Sequence, residues 1–258
     1  MRVAVDGSSL VQTPSGTRTY VEALVRAIGE VAPDIDLTVL WPGWATIGGE
    51  ARPARAERLA WEVAGFRRAA IAAGADVAHV PSFAAPVLAG PPLVVTIHDV
   101  IPLVMPEYRA TRAARVRLAI ARRTVRRARV VLVPSESARR DVEAILGMPA
   151  DQIRVTPEAA GAEFRPARDD AEREAARAVA RRLGIEGRFV FHCGGFDARK
   201  NLGVLVEAFA IARLQVEGPL CLVLAGAPHS DNPVVYPDLW PIIRAHGVSG
   251  EVILPGRV

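Results

Sequence analysis

The feature that most constrains this chain is an alternation. Short apolar runs recur along it, each followed by a longer stretch with apolar residues at helical spacing. Strands are predicted at Arg2 to Asp6, Leu37 to Leu40, Val77 to Val80, Leu93 to His98, Val130 to Val133 and Ile153 to Thr156. Helices are predicted at Thr19 to Val31, with Tyr20, Leu24, Ala27 and Ile28 on one face, and at Ala54 to Ala73. Two more are predicted at Arg109 to Ala128 and at Ser135 to Leu146, the latter closed by Gly147. Strands alternating with helices make an α/β fold: a parallel sheet covered on both faces.

The polar segment Phe164 to Asp170 interrupts the alternation, so two domains are expected, residues 1–166 and 167–258. The second opens with a helix, Ala171 to Leu183. It continues with strands Arg188 to Cys193, Leu220 to Leu224 and Glu251 to Leu254, and a helix at Leu239 to His246. A parallel sheet of so few strands is expected to be part of a larger one.

Composition excludes several classes. Half of the 258 residues are apolar, enough for a sizeable core. The net charge of +4 suits anionic ligands, whereas 5% aromatic residues argue against a stacking platform for nucleic acid. The two cysteines, Cys193 and Cys221, fall in strands predicted to be buried and read as reduced core residues, as do His79 and His192 among the histidines. Met1-Arg2 leads straight into a strand, and no apolar run approaches the ~18 residues that span a bilayer, so a cytoplasmic location is expected.

The most informative stretch is Gly194-Gly195-Phe196-Asp197-Ala198-Arg199-Lys200-Asn201, between a predicted strand and a predicted helix. Glycines let the backbone turn tightly and approach a ligand. The helix start presents free N–H groups that favour an anion, and Arg199 and Lys200 add positive charge. Lys200 is the single lysine of the chain, every other basic side chain apart from histidine being arginine. The stretch reads as a phosphate-binding turn. The first strand, by contrast, is followed by Asp6-Gly7-Ser8-Ser9 rather than Gly-x-Gly-x-x-Gly, which argues against a nicotinamide dinucleotide.

Five stretches in order resemble glycosyltransferase family 4, a retaining group with the GT-B fold that uses nucleotide-sugar donors. They are Ser15 to Tyr20, Thr96 to Pro102, Val133 to Ser137, Thr156 to Glu158, and Gly194 to Asn201. The resemblance implies two Rossmann-like domains facing a cleft, the second incomplete here: the family's C-terminal domain continues to a pair of donor-binding glutamates, expected beyond Val258. Where many members carry an arginine five residues before the turn's lysine, this chain has Gly195, so Arg199 is expected to supply the second charge.

The resemblance assigns roles by position. His98 is expected to serve catalysis by hydrogen-bonding a sugar hydroxyl or steadying charge at the anomeric carbon, with Asp99 beside it orienting the loop. Gly16, Gly194, Gly195, Arg199, Lys200 and Asn201 are expected to bind the donor and its phosphates. Ser15, Ser135, Glu158 and Val258 are expected to line the cleft. No metal or cofactor is expected, since no Asp-x-Asp arrangement stands by a strand end.

The implied reaction is retaining transfer of a hexose from a GDP- or UDP-linked sugar to a saccharide or lipid-linked acceptor, with mannose favoured by the His98 to Pro102 and Asp197 to Asn201 stretches. A nucleotide-sugar 2-epimerase and a non-catalytic module that binds nucleotide or protein remain alternatives. The predicted helix Arg109 to Ala128 carries Arg112, Arg115, Arg117, Arg122, Arg123, Arg126 and Arg127. This basic face is either simply solvated or a peripheral contact with the inner face of an anionic membrane.

Overall fold

The computed structural model describes residues 1–11, 15–44, 54–84, 86–109, 111–228 and 231–257. The chain divides into two compact units, Met1–Ala159 and Ala160–Val258.

In the first unit, β1 (Arg2–Asp6), β2 (Asp36–Leu40), β3 (Val77–Val80), β4 (Leu93–Thr96), β5 (Val130–Val133) and β6 (Ile153–Val155) form a six-stranded sheet in the order β2-β1-β3-β4-β5-β6. Every pairing is parallel. Helices cover both faces of such a sheet, so its inner strands are near-continuous runs of valine, isoleucine and leucine. Val95, Val131 and Val133 are fully buried and pack with Phe66, Val125, Val142 and Leu146. The strand expected at Leu93 to His98 ends at Thr96. His98 therefore lies in the loop beyond the strand, where its side chain is free to face polar partners.

The helices are α1 (Gly16–Val31), α2 (Arg55–Ala60), α3 (Phe66–Ala72), α4 (Ile101–Val104), α5 (Arg112–Val125) and α6 (Glu136–Asp141). A π-turn, Trp61–Gly65, joins α2 to α3, and another, Val142–Leu146, prolongs α6 to Gly147, whose φ of 65° closes it. Helix α1 starts at Gly16 rather than Thr19 because Ser15 caps it: the Ser15 hydroxyl accepts from the Arg18 N–H. Its buried residue is Val21, and Ala27, expected on the inner face, is exposed. Helix α5 is shorter than the expected Arg109 to Ala128, because Thr111 caps it and a separate 3₁₀ turn, Pro106–Arg109, precedes it.

The second unit holds α7 (Asp170–Arg182), β7 (Arg188–Cys193), α8 (Leu202–Ala212), β8 (Leu220–Ala225), α9 (Trp240–Ala245) and β9 (Val252–Gly256). Its parallel sheet has the order β7-β8-β9. β8 is central and buried, and with Leu202, Val206, Phe209 and Ile243 it forms the core. β7 departs from the expected buried strand. It lies at the sheet edge, with Phe189 at 47% and Phe191 at 54% exposure. Cys193 is accordingly exposed and only Cys221 is buried. Apolarity marks a strand but not its place in the sheet order. Both units are Rossmann-like α/β layers.

Candidate functional site

A parallel sheet ends all its strands on one edge, so loops far apart in sequence gather there. In the first unit that edge collects the loops after β1, β4, β5 and β6. Ser15 and Gly16 open α1; Gly16 is exposed, and a Cβ added to it would meet nothing within 4 Å. Ser135 caps α6, its hydroxyl accepting from the Ala138 N–H at 3.2 Å. The Asp99 carboxylate accepts from the Ile101 N–H at 3.0 Å, which fixes the start of α4. Serine hydroxyls and this carboxylate thus satisfy helix-start N–H groups that would otherwise lack partners.

His98 and Glu158, sixty residues apart, meet at this edge: His98 Nδ1 stands 2.9 Å from Glu158 Oε1. A neutral imidazole in this contact donates from Nδ1 and leaves Nε2 as an acceptor. His98 Nε2 is buried and has no partner among the described residues. The Tyr20 ring packs edge-on against His98, with centroids 4.8 Å apart. Behind it, the Tyr20 hydroxyl and Thr96 Oγ1 are 3.3 Å apart, and Thr96 Oγ1 and His79 Nε2 are 2.8 Å apart. Burial, with a smaller contribution from the charge of His98, pushes the His79 pKa down to about 4. His79 is therefore uncharged at neutral pH, so this chain of contacts relays hydrogen bonds and no charge. A carboxylate-held imidazole with one free nitrogen can accept a proton from a hydroxyl or steady a developing positive centre.

Asp6 completes the edge. It is buried, accepts from Trp61 Nε1 and the Ser8 N–H, both at 2.9 Å, and burial raises its pKa. It ties the loop after β1 to the π-turn between α2 and α3.

The second unit presents a different surface at its carboxyl edge. Gly194, Gly226 and Gly256 end β7, β8 and β9 with φ of 152°, 143° and 79°. A Cβ on Gly226 would lie 1.8 Å from the Gly194 carbonyl oxygen, so the two backbones approach as only glycine permits. Gly195 follows, half-buried, and then a 3₁₀ turn, Ala198–Lys200. Asn201 is left-handed, with φ of 49°, and no side chain caps α8. The first N–H groups of an eleven-residue helix thus open onto the turn. Lys200 is exposed; its backbone N–H donates to the Asp197 carbonyl at 2.9 Å, while its ammonium makes no ion pair or hydrogen bond among the described residues. Arg199 differs: its Nε pairs with the buried Asp197 at 2.7 Å, so its charge is partly matched within the turn.

Val258 lies outside the described residues. His192, expected in the core, is half-buried beside the turn: a Cβ on Gly194 would lie 3.5 Å from its Nε2. Burial first, then the Lys200 charge, lowers its pKa. A histidine two residues before a Gly-Gly turn is the available signal, and because a strand alternates faces it is the fold that decides which side His192 takes. Tyr20 and Thr96 fall within the family-like stretches Ser15 to Tyr20 and Thr96 to Pro102, which did not show that their hydroxyls meet, and Asp6 carried no signal beyond its place at a strand end. Among the described residues, no three His, Cys, Asp or Glu side chains are grouped to hold a metal ion, and no helix is long and apolar enough to cross a membrane.

Residues 14–160 match the family model described as Glycosyltransferase Family 4, more than half of the chain. The chain belongs to glycosyltransferase family 4. It is an enzyme of the glycosyltransferase type. Solved structures agree on the fold. This family 4 chain is similar over 100% of its length to sucrose-phosphate synthase from Thermosynechococcus elongatus, covering 71% of that chain at 16% identity with a TM-score of 0.71. It is similar over 99% of its length to WaaG, a glycosyltransferase involved in lipopolysaccharide biosynthesis, covering 70% of that chain at 15% identity and a TM-score of 0.68. It is also similar over 100% of its length to Anabaena HepE in complex with UDP and glucose, covering 70% of that chain at 16% identity and a TM-score of 0.63. No curated protein sequence matches it.

Proposed function

We propose that this family 4 glycosyltransferase transfers a hexose from a nucleoside diphosphate sugar to a hydroxyl of a saccharide or lipid-linked acceptor, with retention, in polysaccharide, glycolipid or glycoconjugate synthesis. The observation that carries the proposal is the turn Gly194 to Asn201, where a helix start without a side-chain cap and a Lys200 ammonium without a partner among the described residues stand at a glycine-lined sheet edge. Negative charge builds on the departing nucleoside diphosphate, and a fixed cation with aligned N–H dipoles stabilises it most in the transition state. Gly194 and Gly195 let the backbone approach the diphosphate, and Asn201 holds the helix start open. Arg199, anchored by Asp197, keeps its remaining N–H groups for the same anion. At the first unit's own edge Gly16 leaves space at the start of α1, and His98, oriented by Glu158, offers Nε2 to a sugar or acceptor hydroxyl.

The donor base is guanine or uracil: HepE is described with UDP and UDP-glucose, and the likeness of the His98 to Pro102 and Asp197 to Asn201 stretches to mannosyl enzymes favours mannose. No cofactor takes part. The exposed arginines of α5 offer a peripheral contact with an anionic membrane, which suits a lipid-linked acceptor.

The test is incubation with GDP-mannose, UDP-glucose and UDP-galactose beside oligosaccharide and polyprenyl-phosphate acceptors, followed by NMR of the product's anomeric centre. A new glycoside with the donor's anomeric configuration is expected. An inverted glycoside contradicts retention, and a donor epimerised at C2 without acceptor assigns an epimerase instead.

A further inference from the structure

The amino end of the first unit's sheet carries a second basic feature that sugar transfer leaves unused. Residues 86–92 lead into β4 there and residues 126–129 lead into β5. Between them lies a recess of about 570 Å³, lined by Arg67, Arg126, Arg127, Arg129, Gln152 and the 86–93 segment. No aspartate or glutamate lines it.

Arg67 is the decisive group. It sits on α3 and is 6% exposed. Its Nη1 donates to the Pro91 carbonyl, and its Nε is buried without any partner among the described residues. Gly90 makes room for it: a Cβ there would lie 2.9 Å from Arg67 Nε. Burial alone lowers its pKa, with no carboxylate opposing the shift. A buried guanidinium with no counter-ion is costly, and such charges are ordinarily paired. The neighbours cannot pair it. Arg126 Nε donates to the Leu146 carbonyl and Arg127 Nη1 to the Val87 carbonyl, which holds two further cations at the rim. Arg129 is exposed and its side chain makes no hydrogen bond or ion pair among the described residues.

We infer that this arginine-lined recess binds a phosphoryl oxyanion, either a free phosphate or diphosphate or a phosphate carried on a lipid head group. Bidentate guanidinium contacts suit such an anion, and the recess has room for more than one phosphoryl group. The site stands on residues of the first unit alone and is independent of the turn at Lys200.

The test is thermal unfolding of wild type, Arg67→Met, Arg129→Gln and Lys200→Ala in inorganic phosphate and in pyrophosphate, against sodium chloride at matched ionic strength. Wild type and Lys200→Ala are expected to gain about 4 °C at ten times Kd. Arg129→Gln is expected to weaken binding about tenfold, and Arg67→Met to abolish it. Arg129→Gln decides alone if Arg67→Met does not fold. Co-sedimentation with phosphatidylglycerol vesicles, lost in Arg129→Gln, without a response to soluble phosphate, assigns the anion to a lipid. The inference is overturned if no phosphate or vesicle binds, if sodium chloride reproduces the shift, if Arg129→Gln binds like wild type, or if Lys200→Ala abolishes the effect.

Discussion

The carboxyl edges of the two sheets are built from the same strand–turn–helix units, yet they are finished in opposite ways. In the first unit the polar groups are closed on one another. Ser15 and Ser135 cap their helices, Asp99 holds the start of α4, and His79, Thr96 and Tyr20 form a contact chain behind His98. His98 is fixed by Glu158 and leaves Nε2 without a partner among the described residues. In the second unit no side chain caps the helix start, Asn201 is left-handed, and the Lys200 ammonium has no partner among the described residues. A closed network positions one atom; an open helix start with a cation receives charge. The first suits a group that must be aimed, and the second a diphosphate that must be held.

Substitutions at either edge separate their effects. The largest effect is expected at Gly226, where the two backbones of the open edge meet. Gly226→Ala forces a Cβ against the Gly194 carbonyl and is expected to cost about 3 kcal/mol or more, read by denaturant unfolding. If the substitution is tolerated within about 1 kcal/mol, the close approach of β7 and β8 is not required.

Next is the pH response of the closed edge. His79 has its folded pKa depressed to about 4, below the ordinary value of 6.5. The unfolded chain thus binds more protons between these values, and stability falls as pH drops from about 6.5 to about 4 and levels off below. The full loss is on the order of 3 kcal/mol. His79→Gln keeps a donor for Thr96 and is expected to flatten that slope; an unchanged slope would place the acid sensitivity elsewhere.

A smaller, local effect is expected at Glu158, which acts through His98. Glu158→Ala should lower turnover on the order of tenfold to a hundredfold, with Glu158→Gln milder because its carbonyl still accepts from Nδ1. Nitrogen NMR of His98 gives a readout that lost packing does not mimic: one tautomer in wild type and in Glu158→Gln, a mixture in Glu158→Ala. The smallest effect belongs to the cap. Ser15→Ala is expected to cost about 1 kcal/mol, read by thermal unfolding, and to leave nucleotide affinity nearly unchanged.

Much of this was legible in the chain, in an uneven way. Apolar runs located every strand, because buried parallel strands need little besides valine, isoleucine and leucine. Gly194-Gly195 and the lysine of Arg199-Lys200-Asn201 marked the open turn, because its chemistry is local. The His98–Glu158 contact was not legible, because only the sheet order brings residues sixty positions apart to one edge. The pairing of Arg199 with Asp197 was hidden for another reason: two residues apart, they could equally have faced different ways. The exposure of Phe189 and Phe191 depends on β7 being an edge strand, which no local pattern encodes.

The open edge is expected to receive the donor's diphosphate and the closed edge is not. Thermal unfolding of wild type, Ser15→Ala and Lys200→Ala with GDP and with UDP tests it most directly. At about 100 times Kd a bound nucleotide adds about 2.7 kcal/mol. Wild type and Ser15→Ala should show this gain with one of the two nucleotides, the second from a lower starting temperature, and Lys200→Ala should show none while matching wild type without ligand. A full gain in Lys200→Ala would contradict the account.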